Sequence, residues 1–182
     1  MLRKINLLLF VLFFFCSSFA SAAKFSSDAE YQLIFTPGED DCAKQIVQVI
    51  NNAKHQVLVQ AYSFTDWDIA HALLQAKRRG VQVSVLLDRS QKDKEIMRFL
   101  LFYKIDCSID SANSISIAHN KIIIVDRKIV VGGSYNYSKN AAHRNAENIT
   151  IIKDRAFAAA FYANWKARKE MNKTRKSQNC AL

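Results

Sequence analysis

Between Ile117 and Asn136 the chain reads IAHNKIIIVDRKIVVGGSYN, and this stretch gathers the residue types that phosphate chemistry uses. His119 offers an imidazole, Lys121 an ammonium, Ser134 a hydroxyl and Asn136 a carboxamide. Chemistry at a phosphate calls for a nucleophile, positive charge against the phosphoryl oxygens and an acid for a departing oxygen. To converge, these four groups need a scaffold. The apolar runs Ile122–Val125 and Ile129–Val131, separated by Arg127-Lys128, predict two neighbouring strands joined by a turn. On the first strand the period of two sets His119 and Lys121 on one face. The second strand delivers Gly132-Gly133-Ser134 and Asn136 to one end of the pair.

The spacing His-x-Lys, four residues, Asp, six residues, Gly-Ser-x-Asn resembles the signature of the phospholipase D superfamily. It is matched without insertion at His119, Lys121, Asp126, Gly133, Ser134 and Asn136. Six defined positions over eighteen residues make a specific signal. The motif occurs once, which is similar to the small bacterial Nuc-type endonuclease branch rather than to the two-motif phospholipases. The likeness runs from about Tyr62 to about Trp165 and weakens at both ends.

The resemblance implies an α/β phospholipase D-like fold, a mixed β-sheet flanked by helices with the active site at a two-fold dimer interface. It assigns His119 the attack on phosphorus, giving a phosphohistidine. Similar nucleases place a glutamate in an Asn-x-Glu-Asn context soon after the motif. Asn145-Ala146-Glu147-Asn148 matches it, so Glu147 is expected to orient the imidazole. Lys121 and Asn136 would hold the non-bridging oxygens, supported by Ser134. Asp126 belongs to the catalytic set by motif, but it lies far along the strand from His119; its expected role is to anchor the turn or a neighbour of the active site. One motif supplies one histidine, so a homodimer is expected to supply the second, as general acid and then base. No cofactor is implied. No acidic cluster suited to Mg²⁺ and no Cys/His spacing suited to zinc is visible, so activity without added metal is expected.

Outside the motif, strands alternate with helices, as in an α/β fold. Strands are predicted at Tyr31–Phe35, Val57–Phe64, Val81–Leu87, about Ile105–Ile109 and Asn148–Lys153. Thr36-Pro37-Gly38 reads as a turn, and Asp40 and Asp41 stand where a helix start favours acids. That helix runs to about Lys54, and Asp66 caps a second that ends at Gly80. A third lies near Lys92–Tyr103, followed after the next strand by a loop over Asp110–Ser116. Ser138–Ala146 is a loop or short helix, and Asp154–Met171 is a long helix docked by Phe157, Phe161 and Trp165. Cys42–Cys107 is the favoured disulfide pair, with Cys180 in a polar tail. Tyr62-Ser63-Phe64 is expected to pack, and Asp88-Arg89 to shape the dimer or the site without direct chemistry. His55, His71 and His143 carry no motif.

The chain opens MLRKINLLLFVLFFFCSSFASAA, a positive start, an apolar core and a small-residue exit. This reads as a signal peptide over residues 1–22, followed by one catalytic domain over 23–182 with a basic tail from about 172. The protein is thus expected to be exported, periplasmic or secreted. Loss of Arg3 and Lys4 would lower the net charge from +10 to +8, still a basic protein suited to a polyanion. The basic C-terminal stretch from Lys166 to Lys176 reads as a solvated helix face or a contact to such a partner. Three functions fit: a non-specific endonuclease on DNA or RNA, a phospholipase D releasing phospholipid head groups, or a non-catalytic nucleic-acid-binding module. The intact constellation argues against the last.

Overall fold

The structure is a computed structural model that describes residues 23–38, 41–110 and 116–179, with side chains of the last helix described as far as Asn172. The signal-peptide segment, Asp40, most of the loop after Asp110, and Cys180 lie outside the described residues. In chain order the elements are β1 (Glu30–Thr36), α1 (Cys42–Asn51), β2 (Gln56–Ala61), α2 (Trp67–Arg78), β3 (Gln82–Leu87) and α3 (Glu95–Phe102). Then come β4 (Asp106–Ile109), β5 (Lys121–Val125), β6 (Ile129–Gly133), α4 (Lys139–His143), β7 (Glu147–Lys153) and α5 (Arg155–Asn179). The seven strands form one mixed sheet in the order β1-β7-β6-β5-β2-β3-β4. β2, β3 and β4 pair in parallel through helical crossovers, and the other pairings are antiparallel.

Strand alternation divides the side chains between two cores. Val57, Val59, Val85, Ile123, Val131 and Ile149 meet α1, α2 and α3 on one face. Leu58, Leu86 and Ile124 meet Trp165 of α5 on the other. The helices start where the sequence supplies an acceptor: Asp41 and Asp66 each take two backbone N–H groups, and Ser138 takes one. Asp154 caps α5 through Phe157 N–H and also holds Ser26. As predicted, Trp165 is buried at 7% exposure, its indole N–H donating to Val59 O.

Three expectations need correction. The helix predicted to stop at Met171 continues to Asn179, because no Gly or Pro follows and the Lys/Arg/Gln-rich tail favours helix. The strand predicted through Phe64 ends at Ala61, its partner β5 beginning opposite at Lys121. Cys42 and Cys107 are not joined in a disulfide. Cys42 opens α1, beside β1 and α2, whereas Cys107 lies on β4, the opposite sheet edge from β1. Burial pushes the Cys107 thiol up to about 12, so it stays protonated and unreactive at neutral pH.

Candidate active site

β5 and β2 run antiparallel, so the start of β5 lies beside the end of β2. There the two strands part. His119 precedes β5 instead of lying within it, in an extended approach held at two points. Tyr62 N–H donates to Asn120 O at 3.0 Å, and Ala118 N–H donates to Asp88 Oδ2 at 2.7 Å. Despite this shift, His119 and Lys121 do come together. Lys121 Nζ lies 3.2 Å from His119 Nδ1 and 3.1 Å from Nε2, and it donates to the His119 carbonyl at 2.8 Å. Tyr62 closes the group, its ring 4.5 Å from the imidazole and 5.1 Å from the ammonium.

The electrostatics are uneven. Lys121 is 6% exposed, yet no salt bridge among the described residues includes it. Burial holds its ammonium below the usual lysine range, and the charge of Glu147 opposes this with a smaller effect. An unneutralised buried cation is suited to meeting a phosphate. The imidazole, in contrast, is exposed. An attacking nitrogen needs access as well as orientation.

Ser134 and Glu147 form the second half of the site. Gly133, at the end of β6, has φ of +152°, and a Cβ there would lie 2.2 Å from Asn148 O. Glycine is therefore required for the chain to pass β7 at this point. Ser134 follows, donating to Glu147 Oε2 at 2.5 Å and accepting Asn148 N–H at 3.1 Å. Glu147 also accepts from Asn145 Nδ2 at 2.9 Å. The expected Glu147–His119 hydrogen bond is not formed within the chain. β7 is separated from β5 by β6, and the serine at the end of β6 intercepts the carboxylate. Asn136 is half-buried, and its Oδ1 has no hydrogen-bond partner among the described residues.

Asp126 does not join them. It sits past the far end of β5 and accepts backbone N–H from Lys54, His55 and Gln56 at 2.9, 2.7 and 2.8 Å. Its φ of +52° lies in the left-handed region, which aspartate tolerates better than most residues. Burial pushes its carboxyl up, but these amides outweigh that and hold it below the ordinary range. Its carboxylate fastens the loop between α1 and β2, a segment far from the motif in sequence.

Asp88 has the position that sequence reasoning left vague. It is 2% exposed at the end of β3, accepting Ser90 N–H at 2.9 Å with one oxygen and Ala118 N–H with the other. Burial again pushes upward, and the amides again win, leaving this carboxyl below its ordinary value. It thus ties the residue before His119 to the sheet. An acid ending a buried strand was the visible signal; its partner thirty residues on was not. His55 lies in the loop held by Asp126, past the far end of β5, and His143 ends α4. Arg168 and Lys169 of the basic stretch are paired to Asp110 and Asp106 rather than left solvated. Among the described residues no group of three or more metal-binding side chains is gathered, and no helix is long and apolar enough to cross a membrane.

Residues 46–168 match a family model described as cardiolipin synthase, PLD-like domain. The chain is 44% identical over 137 residues to a phospholipase D of Rickettsia prowazekii, covering 74% of this chain and 65% of that protein. It thus spans just under two thirds of that relative's length. Among solved structures it is similar to Nuc from Salmonella typhimurium, a phospholipase D family member. The TM-score is 0.71 at 30% identity, covering 79% of this chain and 96% of that one. NucT from Helicobacter pylori gives a TM-score of 0.69 at 25% identity, covering 79% and 98%.

Proposed function

The chain belongs to the phospholipase D superfamily, and from that premise we propose that it is an exported, metal-independent phosphodiesterase working through His119. The observation that carries this reading is the contact between an exposed imidazole and a buried, unneutralised lysine. A nitrogen lone pair of His119 attacks phosphorus, and the P–O bond to the leaving group breaks as the P–N bond forms. The departing oxygen takes a proton from a second acid, and water then attacks the phosphohistidine and regenerates the imidazole. Lys121 and Asn136 stabilise the phosphoryl oxygens, with Ser134 supporting them. Glu147, bound to that serine, acts on His119 only after a rearrangement that substrate or a second chain would drive.

The second acid is His119 of a second copy in a homodimer. An apolar strip on β1 supports self-association: Tyr31, Leu33 and Phe35 alternate along one face of this edge strand, at 75%, 50% and 59% exposure. Such a strip on an edge strand is suited to burial against another chain. DNA or RNA is the first substrate, because the net charge, +10 for the full chain and +8 without Arg3 and Lys4, favours a polyanion. The phospholipase D of Rickettsia prowazekii, at 44% identity, favours phospholipid head-group release as the second reading.

The deciding experiment offers single-stranded DNA, RNA, phosphatidylcholine and cardiolipin in EDTA to the protein and to His119→Ala. Cleavage of nucleic acid alone, lost in the variant, is the expected result. Head-group release alone would transfer the same histidine to lipid. Turnover that survives His119→Ala would end the reading altogether.

A further inference from the structure

The outer surface of α2 and α3 carries a ladder of rings that the catalytic scheme does not use. Trp67 meets Phe99 edge-on at 5.3 Å, and His71 meets the same ring at 5.4 Å. Phe99 meets Tyr103 at 5.0 Å, and Tyr103 meets Phe102 at 5.0 Å. α3 reads EIMRFLLF; Ile96 and Leu100 already occupy the core, with Met97 and Phe99 packed against it. Its apolar arc is wider than the core requires. Leu101 at 48% and Phe102 at 78% exposure stand outside it, Phe102 against Tyr103; Trp67 and Tyr103 are each 36% exposed. Exposed cations frame the patch: Lys94 and Arg98 on the α3 side, Lys104 just beyond, and Arg78 placed 5.9 Å over the Tyr103 ring. Asp68, Asp93 and Glu95 are the nearby acids.

We propose that this face, with Leu101 and Phe102 outermost, docks the protein onto an anionic lipid bilayer. Aromatic and aliphatic side chains ringed by Lys and Arg fit the boundary between acyl chains and acidic head groups. Two other occupants fit less well. A second copy would oppose the same cations across the contact. Single-stranded nucleic acid needs open ring faces for stacking, yet these rings meet one another edge-to-face, and the outermost position beside Phe102 is an aliphatic leucine. The inference is independent of which diester is cleaved.

The test is flotation of the purified protein with vesicles of phosphatidylcholine alone or mixed with phosphatidylglycerol, at low and high salt. The protein is expected to float with the acidic vesicles and to be released by salt. Trp67 emission should shift to the blue, and Trp67→Phe should remove the shift, since Trp165 is already buried. Leu101→Ser/Phe102→Ser, folded like the parent by circular dichroism, should weaken partitioning by about tenfold or more. Lys94→Glu/Arg98→Glu should abolish the preference for acidic vesicles. Wild-type protein that stays with the soluble fraction, or serine variants that float undiminished, would overturn the proposal. It also fails if the serine variants lose single-stranded DNA but keep vesicles, or if they change only the sedimenting mass.

Discussion

The two ends of β5 carry residues of one motif and use them in opposite ways. At the start, Lys121 is buried without a carboxylate partner, and its ammonium is directed at His119. At the finish, Asp126 is saturated by three backbone amides that fasten the loop between α1 and β2. One end spends stability to keep a charge available, and the other spends a charge to gain stability. Motif membership therefore does not separate catalysis from construction. The partners of each charge do: three backbone N–H donors meet Asp126, whereas among the described residues no carboxylate pairs with Lys121.

This contrast can be broken most forcefully at the imidazole. His119→Ala should lower turnover on the order of 10³-fold or more while its melting temperature stays near that of the parent, because the ring is exposed. Lys121→Met should lose on the order of 10²-fold in turnover and melt no lower than the parent, since it replaces a desolvated cation with an apolar chain of similar length. A Lys121→Met protein that unfolds readily would show that the ammonium is structural after all. The opposite end should behave in reverse. Asp126→Ala should cost about 2–3 kcal/mol in denaturant unfolding, from lost amide acceptors and an alanine at positive φ, with turnover per folded molecule nearly unchanged.

Asp88→Ala probes the clamp between these extremes. Releasing Ala118 N–H should lower kcat about tenfold with KM held, because His119 loses its registration and the phosphate-binding groups do not. An equal change in KM would make Asp88 merely structural. The smallest effect is a pH dependence. The Asp126 carboxyl is depressed in the folded state, so its stabilisation is present above the unfolded value of about 3.9 and is lost as pH falls through the lower folded value. Unfolding free energies of the parent and Asp126→Asn should therefore converge in acid and stay apart at neutral pH.

Much of this was legible along the chain. β-branched runs marked the strands, Asp41 and Asp66 marked helix starts, and the spacing from His119 to Asn136 marked the site. The cysteine pairing failed because the separation of α1, which carries Cys42, from the β4 edge, which carries Cys107, could not be read locally. That Ser134 meets Glu147 within the chain was not legible, since nothing in the sequence shows that β6 lies between β7 and β5.

The sequence by itself determined which chemistry is possible, because residue types and strand periodicity are local properties. Only the tertiary structure decided which groups are free to perform it. Burial of Lys121, the clamp of Asp88 on Ala118 and the capture of Glu147 by Ser134 depend on strand order and on contacts far apart in the chain. Desolvation and hydrogen-bond partnership, which set the charge each group retains, exist only once those strands are side by side.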